Sequence, residues 1–172
     1  MDAFSQRAEW QAQYDAWAGA IRATGAVDWK RYPTARCEAT PASPGVVLAD
    51  ASLLLVSSAG GYLPTTQVAF DASNVFGDYT IRRIPLVTPQ TEFAYAHEHY
   101  EHDARMADPQ VLMPMTHLLD LQDAGVIGEV ASDIVSYMGY QPDVGRILDE
   151  TIPAIVAVAQ ELRVQAAFLV PS

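Results

Sequence analysis

An α/β fold with a mostly parallel sheet, flanking helices and an amphipathic helix ahead of them is what this sequence predicts. Two runs carry the sheet: Ser52-Leu53-Leu54-Leu55-Val56 and Ala166-Ala167-Phe168-Leu169-Val170. Both are apolar without alternation, as strands covered on both faces are. Segments of helical period lie between them, which is the order of a layered α/β domain. The chain has 172 residues, 50% of them hydrophobic and 18% charged. That is the size of one domain with a core of its own, and it is too apolar for disorder.

The elements follow in order. Residues 2–24 read as the leading helix, because Trp10, Tyr14, Trp17 and Ile21 recur at spacings of four, three and four, and Gly25 follows. Residues 33–50 read as a linker with Pro33, Pro41, Pro44 and Gly45, and Cys37 sits inside it. The Ser52–Val56 run ends in Ser57-Ser58-Ala59-Gly60-Gly61. This is either a plain tight turn or a binding turn that backbone can approach closely. It matches neither a P-loop nor a dinucleotide fingerprint. Asp78 to Pro85 alternates like a short edge strand. Pro114 opens a helix through Met115, Leu118, Leu119, Leu121 and Gln122, which Gly125 closes. Val130 to Met138 forms a further element before Gly139, and Asp149 is placed to cap a helix through Thr151, Ile155, Val158, Ala159 and Leu162. The strand, helix and strand alternation gives Rossmann-like layers. The division expected is an N-terminal helix and Pro-rich linker over 1–45 and an α/β domain over 46–172.

Net charge and composition exclude several functions. The formal net charge is −11 and Lys30 is the only lysine. Nucleic acid and anionic membranes want a basic face, so neither is an expected partner. No apolar stretch reaches the ~20 residues of a membrane span, and the first ten residues lack a signal-peptide layout. A single cysteine rules out an intramolecular disulfide and a Cys-rich metal site. The expected compartment is the cytoplasm.

His97, His99 and His102, with Glu98, Glu101 and Asp103, form the densest titratable patch in the chain. Three readings stay open: a metal site, acid–base or substrate-binding work by a histidine held by a carboxylate, or a solvated polar loop. A helix would put His99 beside His102 and Asp103, an extended chain would pair His97 with His99, and neither aims all of them at one ion. The HExxH spacing is absent, and no metal is assigned. The candidate catalytic residues are His97, His99 and His102. The candidate substrate-binding residues are Ser57, Ser58, Gly60 and Gly61.

In order and spacing, these pieces resemble the selenoprotein B family of the glycine, sarcosine, betaine and D-proline reductases, in its shorter bacterial form. The matching series is Ser57-Ser58-Ala59-Gly60-Gly61, Gly77-Asp78 before Arg82 and Ile84-Pro85, and the segment from His97 to Asp103. It continues with Asp108, Val111 and Pro114, then Leu118, Leu121, Gly125 and Ile127-Gly128, then Tyr137-Met138-Gly139 ahead of the closing helix and strand. It covers about residues 46–172.

The resemblance implies an oxidoreductase that reduces a small substrate with a selenol or thiol. The deprotonated form of that group is the nucleophile, and a dithiol/disulfide couple drives the reduction. Relatives carry the reactive selenocysteine or cysteine just after the final strand, so the principal nucleophile is expected just after Ser172. Selenocysteine is encoded by UGA, and the expectation is a reading frame that continues through such a codon, the alternatives being a short protein that has lost the activity or a split gene whose second half is separate. No other cofactor is identified. A thiol reductant or thioredoxin-like partner is implied, and some relatives work with pyruvoyl-containing subunits. The alternatives are a non-redox module binding a small ligand or metal, and a metal-dependent hydrolase built on His97, His99, His102 and Asp103.

Overall fold

The computed structural model describes residues 3–36, 45–96 and 108–172. Cys37, His97, His99 and His102 lie outside the described residues. The leading helix α1 spans Arg7–Thr24, after a 3-10 turn at Ala3–Gln6. It buries Trp10, Tyr14, Trp17 and Ile21, the stripe that the spacing predicts. Gly25 ends it in the left-handed conformation, where its N–H reaches Ile21 O. Trp17 packs edge-on against Tyr32 and Phe76, and its indole N–H donates to Asp28 O at 3.2 Å. Burying a side chain of this kind contributes roughly 1.5–3 kcal/mol, which fastens α1 to the body of the fold.

The main sheet contains β1 (Ser52–Ser57), β3 (Ile81–Pro85), β5 (Glu129–Val130), β6 (Asp133–Tyr137) and β7 (Ala166–Val170). β7 pairs with β1 in parallel along Leu53–Ser57. β5 pairs with the start of β1 and β6 with its end, both parallel, so they share the flank opposite β7. β3 runs antiparallel on the far side of β6. A second, two-stranded sheet joins β2 (Gly61–Tyr62) to β4 (Ala94–Tyr95).

Side-chain alternation splits the core in two. Leu53, Leu55 and Ile134 face α2 (Met115–Asp123) with Met115 and Leu118. Leu54, Val56 and Val135 face α4 (Ile152–Glu161) with Val158. The result is a mostly parallel sheet between helices, the α/β class that the two apolar runs predict.

Two local expectations need correction. The helix starting signal is Asp143, whose side chain accepts from Arg146 N, and Asp149 lies inside the helix. The chain runs from α3 (Val144–Arg146) through a π-turn at Ile147–Thr151 into α4. Pro153 has no N–H to offer the carbonyl four residues back, and a π-turn carries the helix past it. Buried Thr151 secures the turn: its hydroxyl donates to Tyr79 O at 3.0 Å and accepts from Gln141 Nε2 at 3.1 Å. The second correction concerns β7. Its Phe168 is 45% exposed and its Leu169 68% exposed. Among the described residues only β1 pairs with it, so here its apolar run forms an edge strand.

Candidate functional site

β1 and β6 finish on one pattern, Val-Ser-X-X-Gly. It reads Val56-Ser57-Ser58-Ala59-Gly60 in the first and Val135-Ser136-Tyr137-Met138-Gly139 in the second. The register sets Val56 beside Val135 and Ser57 beside Ser136. Beyond the serines the two chains turn onto each other through an antiparallel bridge between Ala59 and Met138. Gly60 N donates to Tyr137 O at 2.9 Å, and Gly139 N donates to Ser58 O at 3.0 Å. Gly60 sits at φ +63°, a conformation that a side chain makes costly.

The end of β7 joins them. Ser58 N donates to Val170 O at 3.0 Å, and Ser172 N donates to Ser58 Oγ at 2.9 Å. The Ser58 and Ser172 hydroxyls lie 3.0 Å apart. Gly61 continues into β2 and pairs with Tyr95, while Ala96 N donates to Gly60 O at 3.0 Å. Ala96 is the residue immediately before His97 in the sequence.

This wiring decides what the turn can offer. The amides of Ser58, Ala59, Gly60 and Gly139 are all engaged within the protein, Ala59 N by Ser57 Oγ at 3.2 Å. A ligand there meets hydroxyls and carbonyls rather than a cradle of N–H groups. Ser57 Oγ is committed too, donating to Leu112 O at 2.8 Å. That bond ties the lead-in of α2 to the strand ends. Above Gly61 lie the Met113 methyl and the Tyr95 ring, which stacks on Phe93 at 6.4 Å between ring centres. None of the residues from Ser57 to Tyr62, Ser136 to Gly139, or Tyr95, Leu112 and Met113 is acidic. Burial pushes the Tyr137 phenol above its ordinary pKa of 10.0, so it stays neutral at physiological pH.

Ser57, Ser58, Gly60 and Gly61, the candidates for binding, all lie at the carboxyl ends of these strands. The three candidate histidines lie outside the described residues. His117 is exposed on α2. Among the described residues no group of three or more His, Cys, Asp or Glu could hold a metal ion, and no helix is long and apolar enough to cross a membrane. Sequence reasoning passed over Ser136. The recurrence of Val-Ser-X-X-Gly was the signal that could have found it.

Strands whose carboxyl ends converge on one small polar turn define an open α/β protein, a class whose ligands sit at that edge of the sheet. The glycine/sarcosine/betaine reductase selenoprotein B family model matches residues 30–169. The chain belongs to this family, and its function at that level is that of a selenoprotein B-type reductase component. The match spans the sheet and both strand-end turns. No curated protein and no solved structure gives a significant match.

Proposed function

We propose that this chain binds a small amine such as glycine, sarcosine or betaine at the ends of β1, β6 and β7, and takes part in its reduction by a selenol or thiol. The observation that carries this reading is the seating of Ser172 on Ser58. A residue carried on from β7 would in this reading reach the strand-end turn. A selenol or thiol delivered there supplies the nucleophile and the electron pair for carbon.

The chain's own residues supply the rest. Ser57, Ser58, Gly60 and Gly61 shape the floor under the substrate. One of His97, His99 and His102, while charged, favours the anionic form of the nucleophile, and as carbon is attacked the C–N bond breaks and nitrogen leaves with its electron pair as ammonia, methylamine or trimethylamine. A dithiol provides the two electrons of the net reduction and becomes a disulfide. The working compartment in this reading is the cytoplasm, with a thiol reductant or thioredoxin-like protein as partner.

The test uses the full-length native protein with a dithiol and each of the three amines, following amine release and disulfide formation together. Equal amounts of both with at least one substrate support the reading. Substrate binding without dithiol oxidation leaves a non-redox binding module and overturns the reductase.

A further inference from the structure

Ser136 Oγ is fully buried and has no hydrogen-bond partner among the described residues. Its counterpart, Ser57, accepts from the amide two residues on and donates to Leu112 O. Both serines occupy the same place in the same strand-end pattern, side by side in register and facing α2. A buried hydroxyl with nothing to bond lowers stability, and such groups are rare in folded proteins.

The surroundings indicate what would satisfy it. Gly61 lies directly over the hydroxyl: a Cβ at Gly61 would sit 3.6 Å from Ser136 Oγ and 2.8 Å from Met113 Cε. Only a residue without a side chain leaves that approach open. Met113 is fully buried and unbranched, so a ligand that reaches the hydroxyl must displace its flexible end. It stands two residues ahead of α2, whose N-cap, Pro114, makes no side-chain capping bond. The first turn of α2 lies beside it, with Thr116 N engaged by Gln110 Oε1 at 3.1 Å and Met115 N by Met113 O at 2.7 Å. Among the described residues of the strand ends and the α2 lead-in none is acidic, in a chain of net charge −11. A buried hydroxyl free to donate, with no acidic neighbour in these described segments, favours an acceptor such as a small carboxylate.

We infer that Ser136 is a ligand-binding residue whose hydroxyl donates to a carboxylate oxygen of the bound small molecule, with Met113 as the movable cover. The choice of ligand rests on the function proposed above, whereas the vacant hydroxyl stands independently of it.

The experiment titrates the full-length native protein and Ser136→Ala with glycine, sarcosine and betaine by calorimetry, and melts both proteins without ligand. The variant is expected to melt no lower than the wild type, because its lost hydroxyl had no partner. It is expected to bind all three ligands about ten- to a hundredfold more weakly. The factor should be the same for each, since they share the carboxylate and differ at nitrogen. Undiminished binding by the variant overturns the inference while leaving the proposed function intact. A fall of several degrees in melting temperature also overturns it, by showing a structural bond at Ser136. Loss confined to one ligand places the hydroxyl at the amine and overturns the carboxylate contact. If the wild type binds none of the three, the proposed function fails and the carboxylate assignment fails with it.

Discussion

The ends of β1 and β6 are built alike and finished differently. Each leaves the sheet through Val-Ser-X-X-Gly, each glycine amide bonds across to the other strand, and the two serines are register partners. At β1 both serine hydroxyls are engaged, and Ser57 bonds both to its own turn and to the lead-in of α2. At β6 the equivalent hydroxyl is buried and has no partner among the described residues. The difference separates two uses of one sequence pattern. The first serine closes the fold over the strand ends. The second, we infer, is kept for a ligand at a cost in stability.

The sharpest way to break this comparison is to remove the first serine. Ser57→Ala leaves Leu112 O and Ala59 N without their partner, and should cost about 1–3 kcal/mol. That corresponds to a melting point lower by about 2–4 °C for each kcal/mol in a chain of this size. Next comes the turn itself. Gly60 stands at φ +63°, so Gly60→Ala forces an alanine into the left-handed region and should cost about 1–2 kcal/mol. Chemical denaturation would read it as a lower midpoint with an unchanged slope.

A smaller effect distinguishes the third positions of the two patterns, Ser58 and Tyr137. Burial raises the Tyr137 phenol above 10.0, so the folded state holds its proton more tightly than the unfolded chain. Stability from this source is complete below pH 10 and is lost as the pH climbs through the raised value. Tyr137→Phe should therefore lose less stability between pH 9 and pH 11 than the wild type, measured by melting at each pH. Part of the alkaline loss would remain, because burial also raises Tyr79 and Tyr140. Smallest of all is the ligand-free Ser136→Ala, whose melting point should match or slightly exceed that of the wild type.

Much of the frame was legible because local pattern and tertiary burial agree. The stripe from Trp10 to Ile21 is a helix face, and Ser52–Val56 is an unbroken apolar run that sits between neighbours on both sides. Gly25 and Gly125 mark stops, and both have positive φ. Elsewhere a long-range contact overrode the local signal. Asp149 looks like a helix cap, yet Asp143 caps the helix. The π-turn that follows is held by Thr151 against Tyr79, far away in sequence. In β7 the apolar run describes side chains that avoid water, and does not say how many strands lie alongside.

The site was legible in part for the same reason. Ser57-Ser58-Ala59-Gly60-Gly61 announces itself by its small residues. Ser136 sits within Ile134-Val135-Ser136-Tyr137, where nothing local distinguishes it from a tolerated core serine. Its meaning comes from its register with Ser57 and from the bond it does not make.

The central claim is that ligand binds where β1 and β6 end. Amide hydrogen exchange of the full-length native protein, with and without saturating glycine, sarcosine or betaine, tests it most directly. The account predicts that protection on binding concentrates in Ser57–Tyr62, Ser136–Gly139 and the Leu112–Met115 approach to α2. Protection that leaves these segments unchanged and falls instead on α1 and its aromatic neighbours would contradict it.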